Sequence, residues 1–188
     1  MDKATVCTLA LQRIGMYEYA SGTPGYEVCK AAFPLLYKTL LCAGDWSFAR
    51  RRVVLSCRGD GEYELPPDCL RIVQLEGLRH WRRLGRMVRA EAGATASGDV
   101  VLVYTSGSHA NRGEVPEDDA PLFAEALVVM LASRLAVPLA SDHRLRQELE
   151  LEGRARLDEA LTLDVQQDAS NDQHPLSRLQ EQSITDSY

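Results

Sequence analysis

Between Pro116 and Pro138 lies a stretch that no surface helix would carry. Leu122, Phe123, Ala126, Leu127, Met130, Leu131 and Leu135 recur at helical spacing, and Val128 and Val129 fill the opposite side. A surface helix keeps one polar face, whereas a helix that is apolar nearly all round has to be wrapped by other elements. The spacing therefore predicts a central core helix. Glu117, Asp118 and Asp119 follow Pro116 and read as negative charge at its N-terminus, where the helix dipole favours it. Pro138 is expected to end or kink it.

The wrapping elements are legible on either side. Residues 2–14 read as a short helix that Asp2 caps and Gly15 ends, with Val6, Cys7, Leu9, Ala10, Leu11 and Ile14 at helical spacing. Thr23-Pro24 is a helix start, with Thr as cap and Pro at the first position. That second helix runs to about Ala43, with Cys29, Phe33, Leu36 and Leu40 as its apolar stripe and Gly44 as its stop. Pro34 inside it is expected to kink it or shift its start. Ser141-Asp142 caps a last helix reaching about Asp164, with Leu145, Leu149, Leu157 and Leu161 facing inward.

Between the second helix and the central one the period changes to two. Residues 52–57, 62–65, 70–75, 81–90 and 100–105 read as strands of one small antiparallel set. Gly59-Asp60-Gly61 forms a turn, and Pro66-Pro67 breaks the second strand. The predicted fold class is α+β, mainly α. A helical bundle core is formed by residues 1–45 and 114–168, with a β module inserted at 46–113 and an extended C-terminal arm at 169–188.

The arm is mostly polar, with Leu176, Leu179, Ile184 and Tyr188 as its large apolar residues. Such a segment cannot bury enough apolar surface to offset backbone ordering, roughly 1–2 kcal/mol per residue. It reads as an arm held by something outside its own domain.

No apolar run reaches the ~18–20 residues that a membrane helix needs, which excludes a membrane partner from this reading. The start, Asp2-Lys3 leading into a mixed helix, does not read as a signal peptide. The 5 cysteines form no Cys-x-x-Cys pair and read as small buried thiols. His80, His109, His143 and His174 are scattered and read as surface residues, none with a partner at metal-pair spacing. No nucleophile elbow, phosphate loop or dinucleotide fingerprint is present, so no cofactor, metal or catalytic residue is expected. The acidic run Glu114, Glu117, Asp118 leaves one enzymatic alternative, a carboxylate-pair hydrolase of a substrate such as cell-wall polysaccharide. Such an enzyme needs two acids roughly 5–10 Å apart across a cleft, one of them with a raised pKa.

The net charge of −6 is unevenly spread. Residues 50–89 hold ten Arg against five acids, while residues 112–168 hold six Arg against thirteen acids. One basic and one acidic region suit layered protein contacts. Arg50, Arg51 and Arg52 follow Trp46 and Phe48, and Arg79, Arg82, Arg83, Arg86 and Arg89 surround Trp81. As one continuous strand, Arg82, Leu84, Arg86 and Val88 would share a face, with Arg83, Gly85, Met87 and Arg89 on the other. Arginine interleaved with aromatics marks protein interfaces and nucleic-acid surfaces alike, so a DNA-binding module is a second alternative.

Several segments, taken in order, resemble the bacteriophage head-to-tail connector adaptors, the tail tubular protein A family. They are Ala10-Leu-Gln-Arg-Ile-Gly15, Asp45-Trp46-Ser47-Phe48-Ala49-Arg50, Tyr63-Glu-Leu-Pro66-Pro-Asp68-Cys-Leu70-Arg, Val101-Leu-Val-Tyr104 and the helix Pro121 to Ala136. The resemblance covers roughly residues 5–165, and Pro34 departs from its pattern. It implies a homo-oligomeric ring, typically of twelve subunits, clamped beneath a portal protein. Tail nozzle or fibre proteins would dock below, and DNA would pass through the channel non-specifically. The protein would then be a virion component assembled in the host cytoplasm. The arm, through Leu176, Arg178, Leu179, Ile184 and Tyr188, would reach onto the portal. Arg50, Arg51, Arg52, Trp81, Arg82, Arg83 and Arg86 would meet a neighbouring subunit or the tail.

Overall fold

The computed structural model describes residues 1–59, 61–90, 98–118 and 120–172 of the chain, with 167–172 as helix backbone. Its elements in order are α1 (Lys3–Arg13), α2 (Pro24–Ala43), a 3-10 turn (Ser47–Ala49), β1 (Arg50–Leu55), β2 (Glu62–Glu64) and β3 (Cys69–Glu76). These are followed by β4 (Trp81–Leu84), β5 (Met87–Ala90), β6 (Val100–Ser106), α3 (Ser108–Arg112), α4 (Pro121–Ala140) and α5 (His143–Asp172). The class is the α+β, mainly helical one that the periodicities indicate.

Local chemistry sets the helix ends. Asp2 Oδ1 accepts from the Thr5 amide at 2.8 Å, satisfying an orphan donor of α1. At the other end Gly15, at φ +77°, donates to Gln12 O and lets the Met16 amide reach Leu11 O at 2.9 Å. Thr23 caps α2, and Asp142 Oδ1 caps α5 through the Leu145 amide at 2.8 Å.

The helices form an up-and-down bundle. Lys3 stands over Phe33, Leu11 packs on Gly25, and Cys7 lies beside Cys29, so α1 and α2 are antiparallel. Glu125 meets Arg156, Met130 packs on Gly153, and Ser133 Oγ donates to Arg146 O at 3.0 Å, so α4 and α5 are antiparallel. The chain start pairs with the segment before α4, through Val115 N–H to Met1 O at 2.8 Å, and Arg13 lies 4.0 Å from Glu125. α1 therefore runs with α4, and α2 runs with α5. α4 packs against α1, α2 and α5 alike, while α2 and α5 touch where Gly44 meets Leu161.

Leu127, Val129, Leu131, Ala132 and Leu135 of α4 are fully buried, as the all-round apolar pattern demands. Trp46 and Phe48 pack edge-to-face on Phe123 at 4.9 and 5.1 Å between ring centroids, and Trp46 Nε1 donates to Leu40 O. The chain thus leaves the bundle and enters the β module through an aromatic joint.

Several expectations are corrected. α4 starts at Pro121, not directly after Pro116, so Glu117 and Asp118 lie in the preceding turn. Asp119 lies outside the described residues. α4 is 20 residues long and holds an 18-residue window with a mean hydropathy of 1.8, so it does meet the length and composition of a membrane span. Within the bundle 61% of that window is buried. The start of α2 stays at Pro24 with Pro34 inside the helix, and α4 runs two residues past Pro138 instead of ending there. α5 runs to Asp172, beyond Asp164 and across the boundary drawn for the arm at 169. The short helix α3 has no apolar period long enough to announce it. Cys42 is exposed and Cys57 half-buried, while Cys7, Cys29 and Cys69 are buried. His109 is half-buried, its ring 6.3 Å from that of Phe48.

The strands form two three-stranded antiparallel sheets, in the orders β1-β6-β3 and β2-β5-β4. They share a second core of Leu55, Tyr63, Leu65, Leu75, Val88, Val100, Leu102 and Tyr104. Side chains alternate across each strand, so one face of each sheet lines this core. The Arg-rich stretch is a hairpin turning at Gly85 (φ +61°) and Arg86, not one strand.

Candidate functional site

The hairpin re-sorts the basic residues. Arg82 pairs with Arg89, and Arg83 with the buried Val88. Trp81 lies on the same face as Arg83 and packs against the inner core, while Arg82, Leu84, Met87 and Arg89 form the outer face. Two arginines directly opposite repel. Glu62, across from Arg89 on β2 and 3.6 Å from its Nε, offsets this.

Arg50, Arg51 and Arg52 stand on the other sheet, on its edge strand β1. The sequence-predicted set is therefore two groups on two sheets. β4 is also an edge strand, and charged residues on edge strands discourage unwanted strand addition.

Within these groups the roles differ. Arg50 forks onto Asp45, with Nη2 at 2.9 Å and Nε at 3.3 Å, and fixes the entry into the β module. Arg52 reaches Glu76 at 2.9 Å across the central strand β6. Arg83 donates to Leu70 O at 3.1 Å and to Cys69 O at 3.4 Å, tying β4 to the start of β3 and so one sheet to the other. Arg51, Arg82 and Arg86 are exposed. Arg52 and Arg83 are exposed as well, but Glu76 and the carbonyls of β3 engage them. The portal-facing residues proposed for the arm, Leu176, Arg178, Leu179, Ile184 and Tyr188, lie outside the described residues, as does His174.

Two further joints carry no signal in the sequence. Arg71 Nη2 donates to Gly44 O at 2.9 Å, which binds β3 to the end of α2. Asp68, in the Tyr63–Arg71 segment, accepts from Ser106 Oγ at 2.5 Å and from Tyr104 Oη at 3.3 Å, and its carbonyl accepts from the Gly107 amide at 2.7 Å. It staples the start of β3 to the exit of β6. Burial, then the nearby Asp68 carboxylate, pushes the Tyr104 phenol up to about 12. A lone Asp after two prolines carries no signal of this role; only the sheet register brings Ser106 and Tyr104 to it.

The acidic run is held at the surface. Glu114 Oε2 lies 2.7 Å from Arg112 Nε, and Glu117 Oε1 lies 3.0 Å from the Met1 amine. A groove of about 470 Å³ lies beside Glu117, between α1 and the first half of α4, lined by Leu9, Pro121, Ala124 and Val128 with Arg13 and Glu125 at its rim. Among the described residues no group of three or more His, Cys, Asp or Glu side chains could hold a metal ion.

No family model matches the chain, and no curated protein matches it.

Proposed function

We propose that this chain is a structural ring subunit of a tailed-phage head-to-tail connector, joining portal to tail around a channel through which DNA passes unread. The observation that carries the reading is where the family-like segments fall. Asp45–Arg50 forms the aromatic and ionic joint between bundle and β module. Tyr63–Arg71 supplies Asp68 and Arg71, which close the module on itself and onto α2. Pro121–Ala136 is the core helix that holds the bundle. In this reading the bundle forms the ring wall, and Arg51, Arg82 and Arg86 face a neighbour or the tail nozzle. Residues after α5 reach the portal. The protein works by binding and positioning, with no catalytic step.

Multi-angle light scattering on the purified chain, alone and with portal protein, tests this. Twelve copies of a 20.9 kDa chain give about 250 kDa. A chain that stays monomeric at every concentration and ignores portal would refute the proposal. Deleting residues 173–188 should leave the thermal melt unchanged and weaken portal attachment. A peptidoglycan-degradation assay, with a Glu114, Glu117 and Asp118 triple substitution beside the native chain, should read background for both. Lysis that the substitution abolishes would replace this function with a hydrolase.

A further inference from the structure

The outward surfaces of α2 and α5 carry stripes that match. On α2, Ala31, Leu35, Lys38 and Cys42 recur at 4-3-4 spacing on one side of the helix; Leu35 is 66% exposed, and Ala31 and Cys42 are exposed as well. On α5, Leu151, Ala155, Asp158 and Thr162 repeat the same spacing, all exposed, with Leu151 at 69%. Steps of three and four keep residues on one helical face and are the spacing of a helix–helix seam. A helix face that is merely solvated would be mostly charged. Here each stripe has one charge, and it occupies the third place in both. Neither Lys38 nor Asp158 has an ion-pair partner among the described residues.

The tertiary structure makes these stripes complementary rather than merely similar. α2 and α5 run in the same direction on different sides of α4 and meet where Gly44 touches Leu161. Measured back from that joint, Leu35 and Leu151 each stand roughly 14 Å along their helices at 1.5 Å per residue. A shift of about 5 Å, less than one turn, sets Ala31 against Leu151, Leu35 against Ala155, Lys38 against Asp158 and Cys42 against Thr162. Each apolar layer then pairs a large side chain with a small one, and the charged layer pairs opposite signs.

We infer that the outer face of α2 docks on the outer face of α5 of a second copy of this chain. The two faces differ, so the contact is heterologous and repeats from copy to copy, as a ring requires. The inference rests on the ring-subunit reading and adds which surfaces meet.

Oxidative crosslinking of assembled Thr162→Cys protein tests it, using the native Cys42 as the other thiol. A covalent ladder should appear on a denaturing gel. Cys42→Ser in the same background should abolish it, and the unsubstituted chain should lack it. Independently, Lys38→Asp should raise the concentration for half-assembly about tenfold or more, because it sets like charges together. Adding Asp158→Lys should restore it, with circular dichroism unchanged throughout. Oligomers that form without the ladder and are indifferent to both charge changes would overturn this seam and leave the ring reading standing. A chain that never associates, alone or with portal, would overturn both.

Discussion

Leu127→Ala is the sharpest test of the core. Leu127 is fully buried in α4, the helix against which α1, α2 and α5 all pack. The substitution removes three carbon atoms, and at about 0.8 kcal/mol per buried carbon group the lost transfer energy is ~2.4 kcal/mol. Neighbours on several helices cannot collapse fully into the space. A residual cavity of about 50 Å³ adds ~1 kcal/mol at 24 cal/mol per Å³. The better helix propensity of Ala returns a few tenths. The expected loss is ~3 kcal/mol, or ~6–12 °C in melting temperature for a chain of this size. Urea titration followed by circular dichroism measures it, at one low fixed protein concentration so that association does not enter. Leu151→Ala, on the solvent side of α5, should change stability by less than about 0.5 kcal/mol under the same conditions. A loss below ~1 kcal/mol for Leu127→Ala would refute the placement of α4 at the centre.

Other outcomes follow from the joints. A Cβ at Gly44 would clash with Leu161 Cδ2 and stand 3.2 Å from the buried Trp46 ring, so Gly44→Ala should destabilise by ~1–3 kcal/mol. Adding Leu161→Ala should give less than the sum of the two single losses, read by thermal melting. Tyr104 is buried with its phenol pKa raised to about 12, against about 10 when unfolded. The unfolded chain therefore releases that proton first, and stability is fully present below pH ~10 and falls as pH rises toward 12. Tyr104→Phe should flatten the alkaline end of a stability–pH curve. Arg83→Ser should lower stability by ~1–2 kcal/mol, because it frees the Leu70 and Cys69 carbonyls. Arg82→Ser and Arg86→Ser together should impair assembly while the chain stays folded by circular dichroism. Tight duplex-DNA binding near physiological salt, lost in that pair while assembly survives, would refute a protein partner for the basic face.

The chain's order of elements was legible because local physics fixes it. Asp2, Thr23 and Asp142 satisfy orphan amides within three residues of themselves, and Gly15 supplies a left-handed cap, so these helix ends needed no distant partner. The all-round apolar pattern of α4 required burial whatever surrounded it. What sequence left open depends on contacts between residues far apart. α4 starts only at Pro121 because the segment from Val115 to Glu117 is taken up by pairing with Met1, so Glu117 serves that joint instead of the helix dipole. The basic residues are dense along the chain, which by itself suggests one surface. Strand order instead puts Arg50 to Arg52 on one sheet and Arg82 and Arg83 on another, and turns Arg50 and Arg83 into internal ties. The same holds for Asp68, which finds Ser106 only through the register of β3 on β6. The stripes on α2 and α5 are present in the sequence as a 4-3-4 spacing. Only the bundle, by aligning the two helices on different sides of α4, decides that they face outward and can meet a second copy.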